Sequence, residues 1–139
     1  MPVSISINYQ TPVSHQFDCY LFINTALRLK QLVQGSIDFT FVNDSYMTTL
    51  HETYLNDSSE TDIITFNLDS LLNPIGDIYI CINEAERNSD LYNTNLDHEL
   101  QYLILHGILH LIGYTDSTDF EKTYMLDEQT RLLTLIQGL

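Results

Sequence analysis

Residues 106–116 read HGILHLIGYTD, and three of these side chains bind metal ions readily. His106 and His110 stand four apart in a stretch with helical patterning. At about 3.6 residues per turn they share one face, with Cβ atoms about 5–6 Å apart. That separation lets two imidazoles reach one ion. Gly113 follows, where a helix stops and the chain turns sharply. The turn can bring Asp116 back to the same ion as a third ligand. Two imidazoles and one carboxylate leave open coordination positions for water and substrate, the pattern of a catalytic site. The alternative is a pair of core histidines bonded to backbone. Two neutral imidazoles among Leu103, Leu105, Leu109 and Leu111 are costly to bury unless their nitrogens are satisfied. An ion satisfies one nitrogen of each.

The segment is metalloendopeptidase-like but lacks one part. The zinc peptidase helix carries HExxH, whose Glu takes a proton from water. Here the second position is Gly107, and no carboxylate stands between the histidines. No protein group is therefore assigned as the catalytic base, and activation of water falls to the metal. Glu99, seven residues before His106, reads as a solvated acid favoured by the dipole of the helix's first turns, with support of the metal ligands as the alternative. His98 lies about 80° round the helix from His106 and does not belong with the pair. His15 and His51 read as isolated surface residues. Asp119 is a fallback third ligand, and the nine Tyr read as core and surface packing rather than base-stacking platforms.

The elements around this segment follow from periodicity. Val3 to Tyr9 alternates as a half-buried strand, and Ile37, Phe39 and Phe41 mark a second. Between them Phe17 to Gln34 has helical spacing and stops at Gly35. Asp44 caps a short helix to about Leu55. Asn56 to Glu60 is a polar loop, and Ile63 to Phe66 a short strand. Gly76-Asp77 opens a fourth strand, Ile78 to Ile82, apolar on both faces and so internal. Asn83 caps a helix through Asp90. Long helices from Leu96 to Ile112 and Thr118 to Ile136 complete the chain. This order predicts an α+β fold: one domain over 1–139, one mixed sheet of about four strands packed against about five helices, and the metal site at the end of a long helix.

The chain has 139 residues and a formal net charge of −14, with Arg28, Lys30, Arg87, Lys122 and Arg131 its only Lys and Arg. Five bases cannot build a broad basic surface, which excludes strong electrostatic grip on nucleic acid or on an anionic membrane. Neither a signal peptide nor a membrane helix is expected, which points to the cytoplasm. Cys19 and Cys81 lack metal-ligand spacing and read as buried reduced thiols.

The segment 106–116 resembles the HGxLHLxGYDH signature of the YbeY-type rRNA maturation factors. Leu55-Asn56 with Thr61 to Phe66 resembles that family's LN…TDVLSF stretch, Gly76-Asp77-Ile78 its GDI strand start, and Met125 with Glu128 its C-terminal helix. The resemblance implies an α+β fold and one zinc-type divalent ion held by His106, His110 and Asp116. It also implies a hydrolase, a single-strand-directed endoribonuclease acting in rRNA processing, ribosome maturation and quality control. The third ligand in that family is usually His. The loop before its TD segment commonly carries Arg, whereas Asn56 to Glu60 has no base. The implied partners are single-stranded or ribosomal RNA and the small ribosomal subunit. The acidic surface suits a basic ribosomal protein. A ribosome-assembly factor with little catalysis is the second reading. An unrelated metallohydrolase or a 2-His-1-carboxylate iron enzyme is the third.

Overall fold

A computed structural model describes residues 3–55, 63–67 and 75–139. Four strands, β1 (Ser4–Tyr9), β2 (Ser36–Val42), β3 (Ile63–Asn67) and β4 (Ile75–Cys81), form one sheet in the order β1-β2-β4-β3. β1, β2 and β4 run parallel, and β3 pairs antiparallel with β4. The apolar alternation of β2 and β4 comes into register, with Phe39 opposite Ile78 and Phe41 opposite Ile80. All four are fully buried. β4 is an interior strand, as its apolar character on both faces requires.

The helices are α1 (Cys19–Leu29), α2 (Asp44–Leu50), α3 (Ile82–Leu91), α4 (Leu96–Leu111) and α5 (Asp119–Gln137), with a π-helical turn at His51–Leu55. α4 lies at the centre, packing on β3, β4, α1, α3 and α5. It is apolar almost all round because it is enclosed: Leu100, Ile104, Leu105, Ile108 and Leu109 are fully buried. Among the described residues no helix is long and apolar enough to cross a membrane. Cys19 and Cys81 are buried and free, and burial pushes their thiols up to about 12 and about 11.

Several sequence expectations need correction. α1 does not run to Gly35. It starts after Asp18, whose side chain caps Leu21 N, and ends at Leu29. Gln31 takes the left-handed conformation (φ 59°), and Leu32 N donates to Leu27 O at 2.9 Å. This is a glycine-free Schellman turn whose two leucines both join the core. Asn43, not Asp44, caps α2 by accepting from Tyr46 N. Asn83 caps nothing: α3 begins one residue earlier, and the Asn83 side chain accepts from Asp44 N instead. His51 is not on the surface. It follows Met47 by one helical repeat and is buried with it, both ring nitrogens lacking a hydrogen-bond partner among the described residues. His15 is half-buried, donating from Nδ1 to Phe17 O and bonded through Nε2 to the Tyr9 hydroxyl. The Asn56–Glu60 loop and Thr61-Asp62 lie outside the described residues.

The end of α1 is tied to α5 by a half-buried ion pair. Lys30 Nζ donates to Glu128 Oε2 (2.5 Å) and to the Tyr114 hydroxyl (2.7 Å), and lies 4.9 Å from the centroid of the Tyr114 ring. Arg131 Nε reaches Glu128 Oε1 at 2.6 Å. The Arg131 hydrogen bond, opposed by burial and reinforced by Lys30, holds the Glu128 carboxyl down to about 2, against 4.5 ordinarily. A folded-state pKa below the unfolded one stabilises the fold above the unfolded pKa, and the gain disappears as pH falls through the folded value. Urea denaturation of wild type and Glu128→Gln should therefore show the full difference above about pH 5 and a shrinking one from there toward pH 2.

Candidate metal centre

The site is built at the C-terminal end of α4, where helix geometry and a tight turn meet. Asn95 caps the helix start through His98 N. Its end is a Schellman turn: Gly113 N donates to His110 O (3.1 Å) and Tyr114 N to Leu109 O (2.9 Å). Gly113 has φ 109°, a conformation costly for any residue with a Cβ. The turn directs the Tyr114 carbonyl onto the His110 ring and sends Thr115 and Asp116 back across the helix end. Thr118 then caps α5 through Glu121 N. Glu121 in turn accepts from Thr115 Oγ1 and Ser117 Oγ, so both neighbours of Asp116 are held.

Ligand atoms of His106, His110 and Asp116 lie within 4.8 Å of one another. The two rings stand edge to face, centroids 4.5 Å apart, with Nε2 facing Nε2 at 3.0 Å. His110 Nε2 is 3.7 Å from Asp116 Oδ2. The histidines are half-buried and Asp116 is exposed.

The other ring nitrogens settle the protonation pattern. His110 Nδ1 lies 3.0 Å from the Tyr114 carbonyl, which can only accept. His106 Nδ1 lies 2.9 Å from Gln129 Oε1. Gln129 is fully buried, and its amide nitrogen donates to Tyr102 O, which leaves its oxygen toward His106. Each imidazole thus donates from Nδ1, and each Nε2 presents a bare lone pair to the other. Two lone pairs and a carboxylate converging on one point repel unless a cation or proton lies between them. Burial, and behind it the neighbouring His106, lowers the His110 pKa, while Tyr114 O and Asp116 pull the other way. The net direction disfavours an imidazolium there. The donor set of two aromatic nitrogens and one carboxylate oxygen fits a divalent ion, and the acceptors behind Nδ1 are the usual outer support of metal-binding histidines.

The remaining candidates fall outside this cluster. Asp119 is exposed in the first turn of α5 and is not grouped with the histidines. His98 is no ligand but does share a cavity of about 340 Å³ with His106, and it stacks on Tyr102 there. Glu99 is not a solvated acid: it is buried in the wall of that cavity and accepts from Thr94 Oγ1 at 2.5 Å. Gln129 escaped the sequence reading. Only its position one residue after Glu128, on the face that Met125 buries by helical repeat, hinted at it.

Long-range proton–nitrogen correlation spectra of the metal-free protein should show both site histidines protonated at Nδ1. In Gln129→Leu, which keeps the bulk but removes the acceptor, His106 alone should lose that preference.

Known proteins agree with the fold and the segment. A family model described as Endoribonuclease YbeY matches residues 7–137. The protein named Endoribonuclease YbeY from Flavobacterium psychrophilum is 30% identical over 134 residues, covering 94% of this chain and 95% of its own. Its namesake from Elusimicrobium minutum is 32% identical over 95% of this chain and 99% of its own. The solution structure of a Thermotoga maritima protein superposes with a TM-score of 0.64 at 22% identity, covering 96% of this chain and 89% of that one. The chain belongs to the YbeY family.

Proposed function

We propose that this chain is an endoribonuclease that hydrolyses single-stranded RNA in rRNA processing, ribosome maturation and quality control. In this reading residues 1–139 act as one cytoplasmic domain, and His106, His110 and Asp116 hold one divalent ion, taken to be zinc. The observation that carries it is the convergence of three ligand atoms within 4.8 Å, both histidines having Nδ1 committed to a carbonyl-type acceptor. The relatives' name supports the reaction class.

The ion would supply a Lewis acid that polarises a phosphate oxygen and activates water. The protein's share is orientation. Gln129 and the Tyr114 carbonyl hold the two rings with Nε2 inward. The fixed Thr115 and Ser117 hold the loop of Asp116. Gly107 is buried in the helix and offers no base. Asp116 is exposed, leaving the outer side of the cluster open to an incoming phosphate.

The charge distribution favours help from a partner. Arg87 is bound to Asp44 and Glu84, Arg131 to Glu128, and Lys30 to Glu128. Among the described residues, Arg28 and Lys122 have no ion-pair partner. Two free bases hold a polyanion weakly. A basic ribosomal protein on the small subunit, attracted to the acidic surface, would then bring enzyme and RNA together.

Metal analysis and cleavage of a single-stranded RNA test this directly. Wild type prepared without chelator should carry about one ion per chain and cut, while His106→Ala and His110→Ala should lose both. Full occupancy in His106→Ala overturns the ligand assignment. Asp116 adds a negative charge where a third histidine would be neutral, weakening the local positive field. Where chemistry limits the rate, Asp116→His should cut with its pH–rate profile displaced to lower pH.

A further inference from the structure

Three aromatic rings stand in a row beside the loop of Asp116. Tyr114 stacks on Tyr124 with centroids 5.7 Å apart and planes 23° apart. Tyr124 stacks on Phe120 at 6.4 Å and 25°. The row is anchored at one end, where Lys30 lies over the Tyr114 ring and binds its hydroxyl. It is open at the other, where Phe120 is 79% and Tyr124 58% exposed. The three rings line a cavity of about 330 Å³ together with Ile112, Gly113, Thr115 and Glu121. Gly113 and Thr115 belong to the turn that carries Asp116, so cavity and cluster share one rigid loop.

We propose that the Tyr114–Tyr124–Phe120 row is a nucleobase-stacking subsite that holds a base of single-stranded RNA beside the His106–His110–Asp116 cluster. That the ligand is RNA rests on the nuclease function proposed above, whereas the capacity to stack lies in the rings themselves. A chain with formal net charge −14 and, among the described residues, two bases free of ion pairs cannot grip a phosphate backbone. Its affinity for a single strand must come from contacts that salt does not screen. Base–aromatic stacking is such a contact, and it tolerates any base because every base has a π-face. The anchored end gives the platform a fixed orientation, so little side-chain freedom is lost on binding.

The test pairs a ring-removing variant with a base-free ligand. Binding of a short single-stranded oligoadenylate to the metal-free protein is measured for wild type, Phe120→Leu and Phe120→Trp, at low and at high salt. Phe120→Leu, which keeps an apolar side chain, should bind about tenfold more weakly, and Phe120→Trp should bind at least as well as wild type. The wild-type to Phe120→Leu ratio should persist at high salt and vanish with an abasic oligomer. In RNA cleavage by metal-loaded protein, Phe120→Leu should raise KM with kcat unchanged. Equal binding by wild type and Phe120→Leu overturns the subsite, as does an equal loss with the abasic oligomer. A concentration-dependent dimer that Phe120→Leu dissolves also overturns it, because the row is then an interface between copies. Ring-dependent binding by a wild type that cuts no RNA overturns the nuclease reading and leaves the subsite standing.

Discussion

Two imidazole rings on α4 face each other because each has a carbonyl-type acceptor behind it. Gln129 Oε1 behind His106 and the Tyr114 carbonyl behind His110 take the Nδ1 hydrogens. Both Nε2 lone pairs are thereby driven to one point at a separation of 3.0 Å. This arrangement is unfavourable by itself, and something must hold it. Helical spacing holds the two backbones, the Gly113 turn holds the Tyr114 carbonyl, and the α4–α5 packing holds Gln129. The core serves the same end. α4 is enclosed by sheet and helices on nearly every side, which fixes its last turn and the two rings it carries.

The sparse bases have a second consequence. Lys30, Arg87 and Arg131 each lie against carboxylates. The Lys30–Glu128 pair is half-buried, with Tyr114 beside it, and it connects the end of α1, the turn after the cluster, and α5. The pair joins three elements at one point, although removing both charges from water offsets part of their attraction. Arg87 bridges Asp44, after β2, and Glu84, after β4. Three of the five bases are thus spent on carboxylates of the chain itself, which leaves the net charge of −14 carried by unpaired acids.

What the sequence made legible was local. The HxxxH spacing, the glycine that ends α4 and the alternation of β1, β2 and β4 all depend on residues within a few positions of each other, and they appear in the fold. What it hid was pairing across distance. Gln129 meets His106 across 23 positions, a contact created by α4–α5 packing. Glu99 was read from the dipole of its own helix, yet Thr94 and the cavity wall decide its surroundings. His51 was read without neighbours, and burial alongside Met47 and Leu50 removes it from water. Gly35 misled because glycine is a common helix stop, not the required one. Gln31 takes the left-handed position since Leu27 and Leu32 bury together.

The charge of the chain and the position of the cluster reinforce each other. The C-terminal end of a helix carries partial negative charge, and Asp116 adds a full one beside it. An anionic protein with a site at that end concentrates cations there, by the same field that repels phosphates elsewhere on its surface. Affinity for the ion and aversion to polyanions therefore have one origin. An ion held by the cluster would reverse the sign of that field within about a Debye length, so a phosphodiester would meet one favourable point on an otherwise anionic surface.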